Sequence, residues 1–223
     1  DGKDINEGEG WDTPMKPFGG IEQINWSPDS KKIVYATKKM RGKEYAVSTN
    51  SEVYLYDISS DKTENISDGM KGFEFAPVFS PDGKMIAWSS MERDGYESDK
   101  TRLFIYNVDS KERTYCTKDF EQNADNLEWT KDSKSIYFIS GVRGTEEIYR
   151  YDLTGKITRV TDGVHNYLEA RVAGNGVIAT RQSMSKPTEL YFVNTSNGEA
   201  EEISFVNKGE WKPLPQLANS IQG

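Results

Sequence analysis

The chain is nearly devoid of the two residues that most often carry cross-links and imidazole chemistry. Among 223 residues there is one cysteine, Cys116, and one histidine, His165. A single cysteine excludes an intrachain disulfide and a thiolate metal site. A single histidine leaves any Ser-His-Asp triad one imidazole to use. Apolar residues reach only 35%, and no apolar run approaches the roughly 18 residues of a membrane span. Basic residues are outnumbered, 28 to 36, and the net charge of −8 argues against a nucleic-acid partner. Lys38, Lys39, Arg41 and Lys43 come nearest to a basic patch and read as a solvated loop. The start, Asp1-Gly2-Lys3-Asp4, shows neither a signal peptide nor an initiator Met, so the chain reads as a processed or trimmed piece. Nothing in the composition calls for a cofactor or a metal.

What the chain does have is aromatic residues, 12% of the total, spaced regularly. They mark an internal repeat, in which Trp26, Phe79 and Trp129 are expected at equivalent first-strand positions, mostly buried between sheets. Trp26-Ser27-Pro28-Asp29-Ser30, Phe79-Ser80-Pro81-Asp82-Gly83 and Trp129-Thr130-Lys131-Asp132-Ser133 recur every 50 to 53 residues. In each, an alternating apolar strand precedes a turn; Pro presets φ in the first two, Lys131 takes its place in the third, and Asp with Gly or Ser tolerates tight geometry. An apolar strand then returns through Ile33, Ile86 or Ile136. A third strand follows a loop of variable length: Glu52–Asp57, Arg102–Asn107 and Glu147–Asp152. Short fourth strands cover 63–67, 112–117 and 157–161. A weaker fourth copy has strands at 168–172, 177–181, 189–194 and 202–204, and Ala173-Gly174-Asn175-Gly176 replaces the Pro-Asp turn.

Four-stranded antiparallel units at this period predict an all-β fold, a β-propeller of about four blades that form part of a larger seven- or eight-bladed ring. The expected blades are 21–69, 70–119, 120–163 and 164–207. Residues 1–20 read as the end of a preceding blade and a linker, and 208–223 as a tail leading on. An open arc of blades would expose apolar strips and strand edges at both ends, which predicts cover from another chain, a second copy included.

The Trp-Ser-Pro-Asp-Gly-Lys type of blade resembles two groups of propellers. One is the N-terminal propeller of the prolyl oligopeptidase and dipeptidyl peptidase IV family of serine peptidases; the other is the propeller of the Tol-system protein TolB. The long segment Ala87–Phe104, with Arg93-Asp94-Gly95-Tyr96 and Asp99-Lys100-Thr101-Arg102-Leu103, resembles loops of bacterial dipeptidyl and acylaminoacyl peptidases. The resemblance implies a propeller that gates and positions peptides over a separate α/β-hydrolase domain, in a periplasmic or secreted enzyme. No Gly-x-Ser-x-Gly elbow occurs here, and no histidine follows His165, so no catalytic residue carries over and the chain alone is expected to be non-catalytic. The other reading is a TolB-like, non-enzymatic propeller that binds a protein.

Long loops on rigid scaffolds commonly carry recognition, which makes 91–102 the first candidate and 38–51 the second. Arg93, Asp94, Tyr96 and Arg102 are the expected substrate-side residues: an arginine suits a carbonyl or carboxylate, and a tyrosine packs on a peptide. The opposing reading of the loop is packing between blades or between domains. Glu146-Glu147 and Glu201-Glu202 read as ordinary strand-edge positions, His165 as a turn residue and Cys116 as a half-buried structural thiol. Asp29, Asp82 and Asp132 read as turn caps, one to a blade.

Overall fold

The computed structural model describes residues 4–6, 10–16 and 19–208. The chain divides into two compact bodies, residues 1–121 and 122–223. Each contains two antiparallel four-stranded meanders.

In the first body, the first sheet runs β1 (Ile24–Trp26), β2 (Lys32–Thr37), β3 (Glu52–Asp57) and β4 (Lys62–Asn65). The second runs β5 (Glu74–Phe79), β6 (Met85–Ser90), β7 (Arg102–Asn107) and β8 (Arg113–Tyr115). In the second body, β9 (Asp125–Trp129), β10 (Ser135–Val142), β11 (Thr145–Asp152) and β12 (Ile157–Arg159) form one meander. The other is β13 (Asn166–Ala173), β14 (Gly176–Ser183), β15 (Lys186–Asn194) and β16 (Ala200–Glu202). A single parallel bridge, Glu146 to Asn166, joins these two into one sheet.

Register confirms the repeat alignment: Trp26 faces Ile33, Phe79 faces Ile86 and Trp129 faces Ile136. The turn chemistry is equally repetitive. Ser27, Ser80 and Thr130 each donate a hydroxyl hydrogen bond to the aspartate two residues on, at 2.6–2.7 Å. The same hydroxyls accept from the backbone N–H of Lys32, Met85 and Ser135 at 2.8–3.0 Å. The residue after each aspartate is left-handed: Ser30 at φ 60°, Gly83 at 71° and Ser133 at 58°. At the far end of each meander a hydroxyl of Ser67, Thr117, Thr161 or Ser204 accepts from the second residue of the third-strand repeat, at Val53, Leu103, Ile148 and Leu190. A side chain thereby replaces a ladder bond where the outermost strand peels away.

Cores lie between the sheets within each body. Val34, Val53 and Leu55 pack against Phe79, Ile86 and Trp88 in one. Tyr137, Ile139 and Ile148 pack against Tyr167, Ala179 and Val193 in the other. Side-chain clips reinforce both: Asn25 Oδ1 accepts from Phe79 N–H, and Glu128 Oε1 from Val172 N–H.

Two expectations need correction. The three repeat aromatics are equivalent in position but not in burial: Phe79 and Trp129 are 5% and 4% exposed, whereas Trp26 is 55% exposed. Trp26 shares its face with Ile33 and Tyr56, the side of the first sheet opposite to Val34, Val53 and Leu55, so β5–β8 do not cover it. In the second body, one face of β14 and β15 likewise leaves Ile178 and Leu190 exposed, with Ile203 exposed just beyond β16. The second correction is in the loop after β2, which holds a short helix, α1 (Gly42–Val47), and is not simply solvated. Lys38 donates to the carbonyls of Tyr45 and Ser48, and Lys39 lies over the rings of Trp11 and Tyr54 at 4.5 and 3.8 Å. The start Asp1-Gly2-Lys3 and the tail from 209 onward lie outside the described residues.

Candidate functional site

The two long loops leave corresponding ends of their sheets, between second and third strands, and they are fastened to each other. Asp94 Oδ1 accepts from Ser48 Oγ at 2.8 Å, Thr49 N–H at 2.6 Å and Asn50 N–H at 3.1 Å. Gly95 N–H donates back to Thr49 Oγ1 at 2.7 Å. These donors, Ser48 foremost, hold the Asp94 carboxyl below its ordinary range. Within the second loop, Arg93 forks onto Asp99, with Nε–Oδ1 at 2.8 Å, and lies 3.9 Å over the Tyr96 ring. Arg93 is in turn the main cause that depresses the Asp99 carboxyl. Tyr96 remains half-exposed. Arg102 sits lower, at the start of β7, and its side chain is largely buried. Its Nη2 donates to Ser90 Oγ and to the Met91 carbonyl, both at 2.9 Å. The structure thus brings Arg93, Asp94 and Tyr96 together in one braced loop and places Arg102 beneath it as a strut.

Beside these loops opens a cleft of about 540 Å³. Its apolar wall is Met15, Tyr45, Phe73, Phe75 and Met91, with Lys38 as a half-buried cation and Glu97 at the margin. Burial lowers the Lys38 pKa. Phe73 and Phe75 stack with centroids 5.0 Å apart. Gly72 is required by close approach, since a Cβ there would stand 2.0 Å from the Met91 carbonyl oxygen.

Between the two phenylalanines, Glu74 turns inward and is fully buried. It accepts from Trp88 Nε1 at 2.6 Å and Ser90 Oγ at 2.9 Å. Burial outweighs these donors and raises its carboxyl to about 7. The aromatic-acid-aromatic run Phe73-Glu74-Phe75 before a first strand is the signal that sequence reading passed over.

In the second body, His165 lies in a bend beside Tyr167, and burial lowers its pKa. Glu147 is fully buried, not an edge residue: it accepts from Thr161 Oγ1 and stands 3.4 Å from Arg159 Nη2. Cys116 is half-buried just after β8. Among the described residues no group of three or more His, Cys, Asp or Glu is arranged to hold a metal.

Comparison with known proteins bears on this architecture directly. The profile of the TolB beta propeller domain matches residues 23–218. The chain belongs to this family. Within the TolB-propeller family its relatives are peptidases by name. Dipeptidyl-peptidase 5 of Porphyromonas gingivalis is 46% identical over 218 residues, 97% of this chain and 32% of that protein. The Porphyromonas endodontalis protein of the same name is 44% identical, over 97% of this chain and 31% of its own length. The chain therefore spans about a third of the curated relatives it matches. Among solved structures, TolB from Acinetobacter baumannii superimposes with a TM-score of 0.59 at 22% identity, over 82% of this chain and 43% of that one. Pyrococcus horikoshii acylaminoacyl peptidase gives 0.63 at 17%, over 82% and 27%. At those identities the likeness is one of fold.

Proposed function

We propose that this chain is the propeller portion of a periplasmic or secreted dipeptidyl peptidase of the serine type, and that it gates and positions peptides for a separate hydrolase domain. The observation that carries the reading is the 46% identity to a dipeptidyl-peptidase 5, which runs through nearly the whole chain but covers a third of the relative. The geometry of the loop 91–101 supports this reading. The loop 91–101 is rigid enough to position a ligand because Asp94 ties it to the neighbouring blade and Asp99 fixes Arg93. On this reading Arg93 and Tyr96 meet the peptide, while Asp94 and Arg102 hold the loop that presents them. The apolar cleft beside it takes a side chain of the same substrate.

The test compares the full-length gene product with residues 1–223 on chromogenic dipeptidyl amides. The full-length protein should release dipeptides and lose activity to a serine-directed inhibitor, and the chain alone should show no turnover. Inhibitor-sensitive turnover by the chain alone overturns the reading. A full-length protein that releases no dipeptide and instead co-purifies stoichiometrically with a protein partner supports the TolB-like, non-enzymatic alternative.

A further inference from the structure

The body formed by β9–β16 has a small pocket of its own, about 130 Å³. It lies where the β14–β15 turn meets the bend before β13, and it is lined by His165, Arg181, Gln182, Ser183, Lys186 and Tyr191. Charge pairing around it is uneven. Lys186 is ion-paired with Glu202 at 2.5 Å and donates to the Tyr191 hydroxyl at 2.9 Å. Arg159 serves both Asp162, at 2.6 Å, and Glu147, at 3.4 Å. Arg181 is left over. Its guanidinium lies 3.5 Å over the Tyr191 ring and 5.9 Å from the Tyr167 ring. No carboxylate among the described residues forms an ion pair with it. A partly buried guanidinium held on aromatic faces, with its charge unmatched, is unusual, because removing a charge from water is costly unless a counter-charge is supplied.

We propose that this pocket binds a carboxylate-bearing ligand, with Arg181 as its charge partner and Ser183 and Lys186 at its rim. The inference goes beyond the peptidase reading and does not depend on it. One unmatched cation calls for a monoanion, since Glu202, Glu147 and Asp162 nearby would oppose a second negative charge. Tyr191 and Tyr167 hold the guanidinium through ring stacking and through their neutral hydroxyls, neither of which supplies a negative charge, and a guanidinium so fixed is of the kind that pairs with a carboxylate. The volume is several times the roughly 30 Å³ that a water occupies in the liquid, which suits a carboxylate and one or two carbons behind it. A peptide terminus, an acidic side chain and a small free carboxylate share this chemistry.

Saturation-transfer NMR on the full-length protein tests the site without turnover. The observed probes are acetate, N-acetyl-Gly-Gly, its terminal amide and N-acetyl-Asp-amide, and inorganic phosphate is scored by how well it displaces the acetate signal. Acetate should give a saturable signal, and Arg181→Gln should weaken its binding at least tenfold. Ser183→Glu brings a competing carboxylate to the rim without altering the stacked arginine, and should weaken binding at least fivefold. It also decides the matter if Arg181→Gln fails to fold. Preference for N-acetyl-Gly-Gly over its amide identifies a chain terminus as the ligand. Preference for N-acetyl-Asp-amide identifies a side chain, and preference for acetate a small free carboxylate. No saturable binding, undiminished binding in a folded Arg181→Gln or in Ser183→Glu, or tighter binding of phosphate than of acetate at pH 8 each overturns the proposal.

Discussion

The two bodies are built from the same repeat and spend their extra residues differently. In the first, β2 and β3 are six residues each, as are β6 and β7, and long segments connect them. In the second, the corresponding strands are eight or nine residues and the connections shrink to two, Arg143-Gly144 and Met184-Ser185. Arg143 at φ 50° and Gly144 at φ 80° show the tight hairpin geometry that matches strand twist. Residues that extend a ladder satisfy their own backbone and need no side-chain brace. Residues that leave it must be braced by side chains, and the braces, Asp94 and Asp99, hold loops that border a cleft. The buried carboxylates differ in the same way. Glu74 has only neutral donors, Trp88 and Ser90, whereas Glu147 has Thr161 and the Arg159 guanidinium.

The sharpest way to break the equivalence of the repeats is to truncate their aromatics. Trp129→Ala should cost about 3–5 kcal/mol, since its side chain is almost fully enclosed, while Trp26→Ala should cost less than about 1 kcal/mol. Chemical denaturation of both variants measures the difference, and equal losses would refute it.

The Glu74 environment predicts a pH effect next in size. Its carboxyl is at about 7 in the fold against an ordinary 4.5, so between those values the folded state holds a proton the unfolded chain has released. Stability therefore falls as pH rises through that window and levels off above it. The full effect is on the order of 3 kcal/mol. Glu74→Gln should flatten the slope, read as the difference in denaturation midpoint from wild type between pH 5 and pH 8. An unchanged slope would show that the carboxyl is ionised throughout.

Asp94→Ala should change global stability by less than about 1 kcal/mol, because its contacts are exposed, yet release the loop locally. Limited proteolysis within 91–101 should accelerate several-fold, with the turn at 143–144 unaffected. Smallest of all, Ser30→Gly should stabilise the first hairpin by roughly 0.5–1 kcal/mol, because the left-handed backbone there suits glycine, as its counterpart Gly83 already shows. A thermal melt that moves downward would count against the turn assignment.

The sheets were legible because the signals are local. The apolar run through Ile33-Val34-Tyr35 or Ile136-Tyr137-Phe138, and the Ser-Pro-Asp or Thr-Lys-Asp turn before it, each specify a hairpin within a dozen residues. The outer strands were less legible. Ala200–Glu202 forms where a more apolar 202–204 was expected, because an outermost strand is half in water and its pairing is set by β15 more than by its own pattern. The loop 91–102 was recognisable as a candidate by length alone. The roles of its residues were not, since Arg93 meets Asp99 only through the fold of the loop, and Asp94 meets Ser48 and Thr49 across 45 residues of chain.

Composition and spacing by themselves determined the class of fold, the repeat and its register, because hydrophobic period and turn stereochemistry act between near neighbours. Burial and charge state were decided only by tertiary structure. Trp26 and Trp129 have the same local pattern and opposite exposure, since exposure depends on which sheet lies alongside. Glu74 holds its proton because the packing that removes water from around it outweighs its two donors and the more distant Arg102 and Arg113, and Arg181 rests on the Tyr191 ring while Arg159 serves Glu147 and Asp162. Desolvation and pairing depend on distances through space, which no window of sequence contains.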